Sequence, residues 1–98
     1  MQYPPISNIL EIMAFSEKQQ RGRELLEELK GETGAYPQLT LLGPTDAPIA
    51  KLRDVWRSVL YIKSEDYHLL CHIRNQFEAF LQKREDYRDC RLGFDFNF

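Results

Sequence analysis

Hydrophobic periodicity along this chain switches from two residues to about 3.6 and back, twice over, and that switching leaves few folds open. Residues 6–15 are apolar and β-prone, with Glu11 as the only charge, which reads as a central strand with one well-buried face. Ser16, with Gln19 three residues on, reads as a capping box opening a helix over 17–30. The apolar stripe of that helix is chiefly Leu25, Leu26 and Leu29, and Gly31 and Gly34 end it. Residues 39–42 read as a short strand stopped by Gly43-Pro44, followed by a loop to Asp54. Residues 55–63 are the clearest strand: Trp56, Ser58, Leu60 and Ile62 alternate with Arg57, Val59, Tyr61 and Lys63. The first set is more apolar and faces the helices, leaving the second on an open face. Ser64 reads as the cap of a second helix with Glu65 and Asp66 in its first turn, where the dipole favours acids. Its stripe is Leu70, Ile73, Phe77, Phe80 and Leu81. Residues 88–96 close the chain as a strand in which Cys90, Leu92, Phe94 and Phe96 alternate with polar or small positions.

The order β-α-β-β-α-β predicts an α+β, ferredoxin-like fold: a four-stranded antiparallel or mixed sheet with two helices on one face. Right-handed crossovers put strands one and three side by side and strands two and four at the edges. The 98 residues allow one domain, 1–98, large enough to fold without disulfide or metal. Hydrophobic content of 43% and charged content of 29% argue against disorder.

The chemistry on offer is thin. The chain has neither G-x-x-x-x-G-K-[ST] nor G-x-G-x-x-G, and none of its serines lies in G-x-S-x-G. Enzymatic activity is therefore not expected. His68, Cys71 and His72 share a helical turn, but a fourth ligand would have to come from Cys90 or a glutamate; alternation assigns Cys90 to the core and the chain has no Cys-x-x-Cys, so no metal site is expected. The two cysteines read as reduced thiols of a cytoplasmic protein. Met1 to Pro5 lacks a signal-peptide pattern, and no apolar run is long enough to span a bilayer, so no membrane partner is expected.

The candidate surface is the stretch from 41 to 63. Lys51, Arg53, Arg57 and Lys63 fall within a short span holding Asp46 and Asp54 as its only acids, and Tyr61 lies between Arg57 and Lys63 on the open face. Positive charge beside an aromatic ring suits phosphate contact with base stacking. The alternative is a solvated edge loop with a tyrosine at a domain interface. A formal net charge of −2 excludes nucleic-acid binding by bulk charge and leaves a local patch or a protein partner.

Tyr3-Pro4-Pro5, Leu42-Gly43-Pro44, Ala47-Pro48-Ile49-Ala50-Lys51, Trp56-Arg57 and Asp95-Phe96-Asn97 follow one another in this order. Together they resemble the C-terminal domain of the PriA family, the primosomal replication-restart helicases (primosomal protein N′), over essentially the whole chain. The resemblance implies a fragment of a longer helicase. The helicase lobes and zinc module would lie upstream, so no cofactor is expected here; ATP and zinc would belong to those missing domains. It also implies a DNA-binding and docking role at branched or forked DNA of stalled forks, in a cytoplasmic, nucleoid-associated setting. The implied partners are DNA, the helicase core of the same protein and single-stranded-DNA-binding protein. Some relatives are basic where the second helix begins, whereas this chain has Glu65-Asp66, so contacts of that region do not carry over.

Three functions follow. In the first, Lys51, Arg53 and Arg57 contact phosphates, supported by Tyr61 or Lys63. In the second, the open face docks on another protein through Ile9, Met13, Val59 and Tyr61. In the third, a free-standing regulatory domain binds a small molecule, which no residue pattern specifies.

Overall fold

The computed structural model describes residues 8–34 and 36–97. The expectations for Tyr3 to Ser7 lie outside them. The element order is β1 (Asn8–Ser16), α1 (Arg21–Glu32), β2 (Thr40–Leu52), β3 (Val55–Ser64), α2 (Tyr67–Lys83), a 3-10 turn (Glu85–Tyr87) and β4 (Cys90–Asn97). The strands form one sheet in the order β2-β3-β1-β4, and every neighbouring pair is antiparallel. This is the ferredoxin-like β-α-β-β-α-β arrangement.

Alternation explains how the sheet buries one face. On β1, Leu10, Ile12 and Ala14 are buried while the residues between them are half-buried. On β3, Leu60 and Ile62 complete the same layer. Leu25, Leu26 and Leu29 of α1 and Leu70, Ile73 and Phe77 of α2 close over it, joined by Tyr87 and Cys90. Truncating a fully buried leucine in such a layer costs about 2–5 kcal/mol.

Four elements have boundaries that differ from expectation; α1 also runs through Gly31 to Glu32, past its expected end at residue 30. α1 begins at Arg21, not at residue 17. The Ser16 hydroxyl is buried at the end of β1 and accepts a hydrogen bond from the Lys18 amide at 3.1 Å, so it closes a tight turn there. Gln20, with φ 73°, precedes the helix. α2 is capped by Asp66, whose carboxylate accepts from the Leu69 amide at 3.1 Å; the Ser64 hydroxyl accepts from the Asp66 amide at 3.0 Å. β4 starts at Cys90 because the 3-10 turn Glu85–Tyr87 intervenes.

The largest difference is at β2. The expected loop after residue 42 is instead strand, running to Leu52 with register shifts between Leu42 and Thr45 and between Asp46 and Lys51. Gly43 and Pro44, joined by a cis peptide, make a bulge and do not end the strand. β2 is an edge strand, where a proline's missing donor costs no ladder bond. Gly43 has φ +103°, and a Cβ there would lie 3.0 Å from the Val59 carbonyl oxygen, so glycine is required. The Lys30 ammonium donates to the Gly43 carbonyl at 2.9 Å, tying α1 to the bulge.

Candidate nucleic-acid interface

The hairpin of β2 and β3 turns on Arg53 and Asp54, with φ 53° and 64°. Two central residues in the left-handed region give a primed two-residue turn, whose twist matches that of the strands. Arg53 is thereby carried exposed at the hairpin tip. Lys51 pairs in register with Trp56. Its ammonium lies 5.2 Å from the centre of the Trp56 ring and 3.8 Å from the Asp54 carboxylate.

Cross-strand partners share a face, and consecutive residues alternate. Lys51 and Trp56 therefore belong to the helix side of the hairpin, and Arg57 to the open side. The five predicted residues do not form one patch. Lys51 and Arg53 mark the hairpin end, and Arg57, Tyr61 and Lys63 are spread along β3. The six steps from Arg57 to Lys63 span roughly 20 Å.

The register gives each of these three different company. Arg57 lies opposite Phe15, and Phe15 lies opposite Arg91 on the other side. Val59 lies beside Met13 and Thr45, and Met13 beside Gly93. Tyr61 lies between Glu11 and Leu42, with Asp95 beyond Glu11, and its hydroxyl donates to Glu11 Oε1 at 3.5 Å. Lys63 lies between Ile9 and Thr40, on a polar recess of about 470 Å³ shared with Gln38, Ser64, Glu65 and Asp66. One end of the open face is thus basic and aromatic. The Tyr61 row is acidic.

The apolar patch expected on this face is reduced. Val59 is only 2% exposed, and Ile9, Met13 and Tyr61 are half-buried. Among the described residues Leu42, 51% exposed, is the most exposed large hydrophobic on this face.

Arg91 and Phe15 escaped the reading by sequence proximity, since Arg91 lies more than thirty positions from Arg57. Alternation in β4 does assign Arg91 to the open side, and strand order would have brought it next to Phe15. β4 is held by its pairing with β1, and a cluster at the 3-10 turn ties the approach to it onto α1. Arg84 donates to Asp86 at 2.7 and 2.9 Å and to Glu28 at 3.2 and 3.3 Å; its hydrogen bonds hold the Asp86 carboxyl below the usual carboxylate range. Arg21 donates to the Asp86 carbonyl and sits 3.5 Å from Asp89. The two guanidinia lie 4.6 and 5.2 Å from the centre of the Tyr87 ring. Burial pushes the Tyr87 hydroxyl up to about 12 and the Cys90 thiol up to about 11.

His68 and His72 are exposed and Cys71 is half-buried on α2, while Cys90 belongs to the core. Among the described residues no three His, Cys, Asp or Glu side chains are grouped to hold a metal ion. No helix among them is long and apolar enough to cross a membrane.

The fold is similar to that of a de novo designed protein, Foldit4, with a TM-score of 0.73 over 95% of this chain and 98% of the other at 10% identity; at that identity the likeness concerns the fold alone. No curated protein sequence matches the chain. The family model for the primosomal protein N C-terminal domain matches residues 1–97. The chain therefore belongs to the primosomal protein N C-terminal domain family, which ties it to the primosomal replication-restart protein.

Proposed function

We propose that this domain is a non-catalytic DNA-binding and docking module of the PriA restart helicase, helping to engage branched DNA at stalled forks during primosome assembly. The observation that carries this reading is the family match over residues 1–97. It is supported by Arg53 at the hairpin tip and by Lys51, Arg57 and Lys63 along the same hairpin. In this reading the domain is carried by a longer cytoplasmic, nucleoid-associated protein whose upstream lobes use ATP and whose zinc module binds the metal.

Contacts of this kind act through counterion release, so affinity falls with salt. Binding of forked DNA should be measured against salt for the chain and for Lys51→Ala/Arg53→Ala/Arg57→Ala. Each lost phosphate contact flattens the log–log salt slope by about 0.9. Equal affinities and slopes would remove these residues from the interface.

A second reading has the open face docking on the helicase core or on single-stranded-DNA-binding protein. Exposed Leu42 beside half-buried Tyr61 favours it, because apolar surface of this kind marks interfaces. Concentration-dependent self-association that Leu42→Ser abolishes would support it, and a monomer indifferent to that change would count against it.

A further inference from the structure

We propose that Phe15, Arg57 and Arg91 form a contact site for single-stranded DNA, with an unpaired base against the Phe15 ring and flanking phosphates on the two guanidinia. This rests on the reading that the domain contacts DNA, and adds which residues and which form of DNA. Arg57 and Arg91 are the direct cross-strand neighbours of Phe15 on β3 and β4, so the two arginine Cα atoms stand about 10 Å apart with the Phe15 Cα between them.

Gly93, one row away on β4, leaves space for the ring: a Cβ there would meet the Phe15 ring edge at 3.2 Å. An adjoining cleft of about 270 Å³ is lined by Phe15, Val55, Arg88 and Arg91, with Glu17 and Asp89 as its acids. The Asp89 charge is offset by Arg21 at 3.5 Å. Arg91 is exposed and takes part in no ion pair among the described residues. Arginine beside an aromatic face is the combination that holds single strands, because every base has a π-face and every linkage a phosphate. A paired base inside a duplex does not offer its face to a ring on a sheet, so the site discriminates by strandedness and not by sequence.

The test is a fluorescence-anisotropy titration with a labelled single-stranded oligodeoxythymidine and a matched duplex. The chain is compared with Arg91→Ala, Phe15→Leu and Lys51→Ala/Arg53→Ala. Phe15→Leu keeps an apolar side chain over Gly93, and melting curves verify that each variant is folded. Arg91→Ala changes an exposed residue and stands as an independent probe should the Phe15 variant unfold. Phe15→Leu is expected to weaken single-strand binding about tenfold and duplex binding little. Arg91→Ala is expected to flatten the single-strand salt slope by about 0.7. If Lys51→Ala/Arg53→Ala weakens binding while Arg91→Ala and Phe15→Leu do not, the inference fails and the DNA-binding reading stands. Equal losses on both strands for Arg91→Ala, with none for Phe15→Leu, overturn the stacked base. Failure of the unaltered chain to bind any DNA overturns both.

Discussion

Two rows of the open sheet face are built on the same three strands, β3, β1 and β4, and carry opposite chemistry. In one, Arg57, Phe15 and Arg91 stand side by side; about two rows away Tyr61, Glu11 and Asp95 do, with Lys63 in the row beyond them. Both rows set an aromatic ring beside charged side chains. A row with two guanidinia attracts a phosphodiester chain, whereas a row with two carboxylates repels it. Aromatic-plus-basic composition within one strand is therefore a poor guide to a binding surface. The residues across the sheet decide the sign of the field.

The sharpest way to break this contrast is to remove the basic row. Arg57→Ala/Arg91→Ala should lower single-strand affinity at low salt by at least about a hundredfold, since each charged contact is worth about 1.5–3 kcal/mol. Tyr61→Ala should leave affinity within about twofold, a change under about 0.5 kcal/mol. A larger loss at Tyr61 would reverse the assignment. Stability tests whether the frame holding the rows is as described. Gly43→Ala forces a Cβ into the Val59 carbonyl at φ +103° and should cost about 1–3 kcal/mol in denaturant unfolding.

Arg53→Asn separates charge from conformation. Asparagine tolerates the left-handed turn better, so the variant should gain about 0.5–1 kcal/mol of stability. It should also flatten the salt slope if Arg53 touches phosphate. In the acidic row Glu11 and Asp95 face each other across β1 and β4. Like charges so placed are destabilising, so Asp95→Asn should stabilise the fold by about 0.2–1 kcal/mol.

The remaining effect is confined to alkaline pH. Cys90, raised to about 11, and Tyr87, raised to about 12, bind their protons more tightly folded than unfolded. Their contribution is complete below their ordinary values of 9.0 and 10.0 and is lost as pH rises to about 12. Cys90→Ala should flatten the part of that loss between about pH 9 and 11; an unchanged profile would exclude the thiol.

The fold was legible because alternation in residues 55–63 and 88–96, and the stripes containing Leu25 and Phe77, follow directly from burial on one face. The hairpin was not legible. Gly43-Pro44 is a stop signal in isolation, and only the edge position of β2 with the Val59 carbonyl close by turns it into a bulge. Arg53-Asp54 carries neither glycine nor asparagine, so its primed turn has no local signature. The α1 start was misplaced because Ser16 satisfies two competing patterns, a helix cap and a turn closed on Lys18. The candidate surface was half legible: the charges at Lys51, Arg53 and Arg57 stand in sequence, but Arg91 joins Arg57 only through the register of two strand pairs.

The most direct test of the contrast between the two rows is an amide chemical-shift titration with a single-stranded oligonucleotide. The account predicts perturbations that centre on Phe15, Arg57 and Arg91 and fade towards Glu11, Tyr61 and Asp95. Perturbations centred on Tyr61 and Glu11, or on the exposed side of α2, would contradict it.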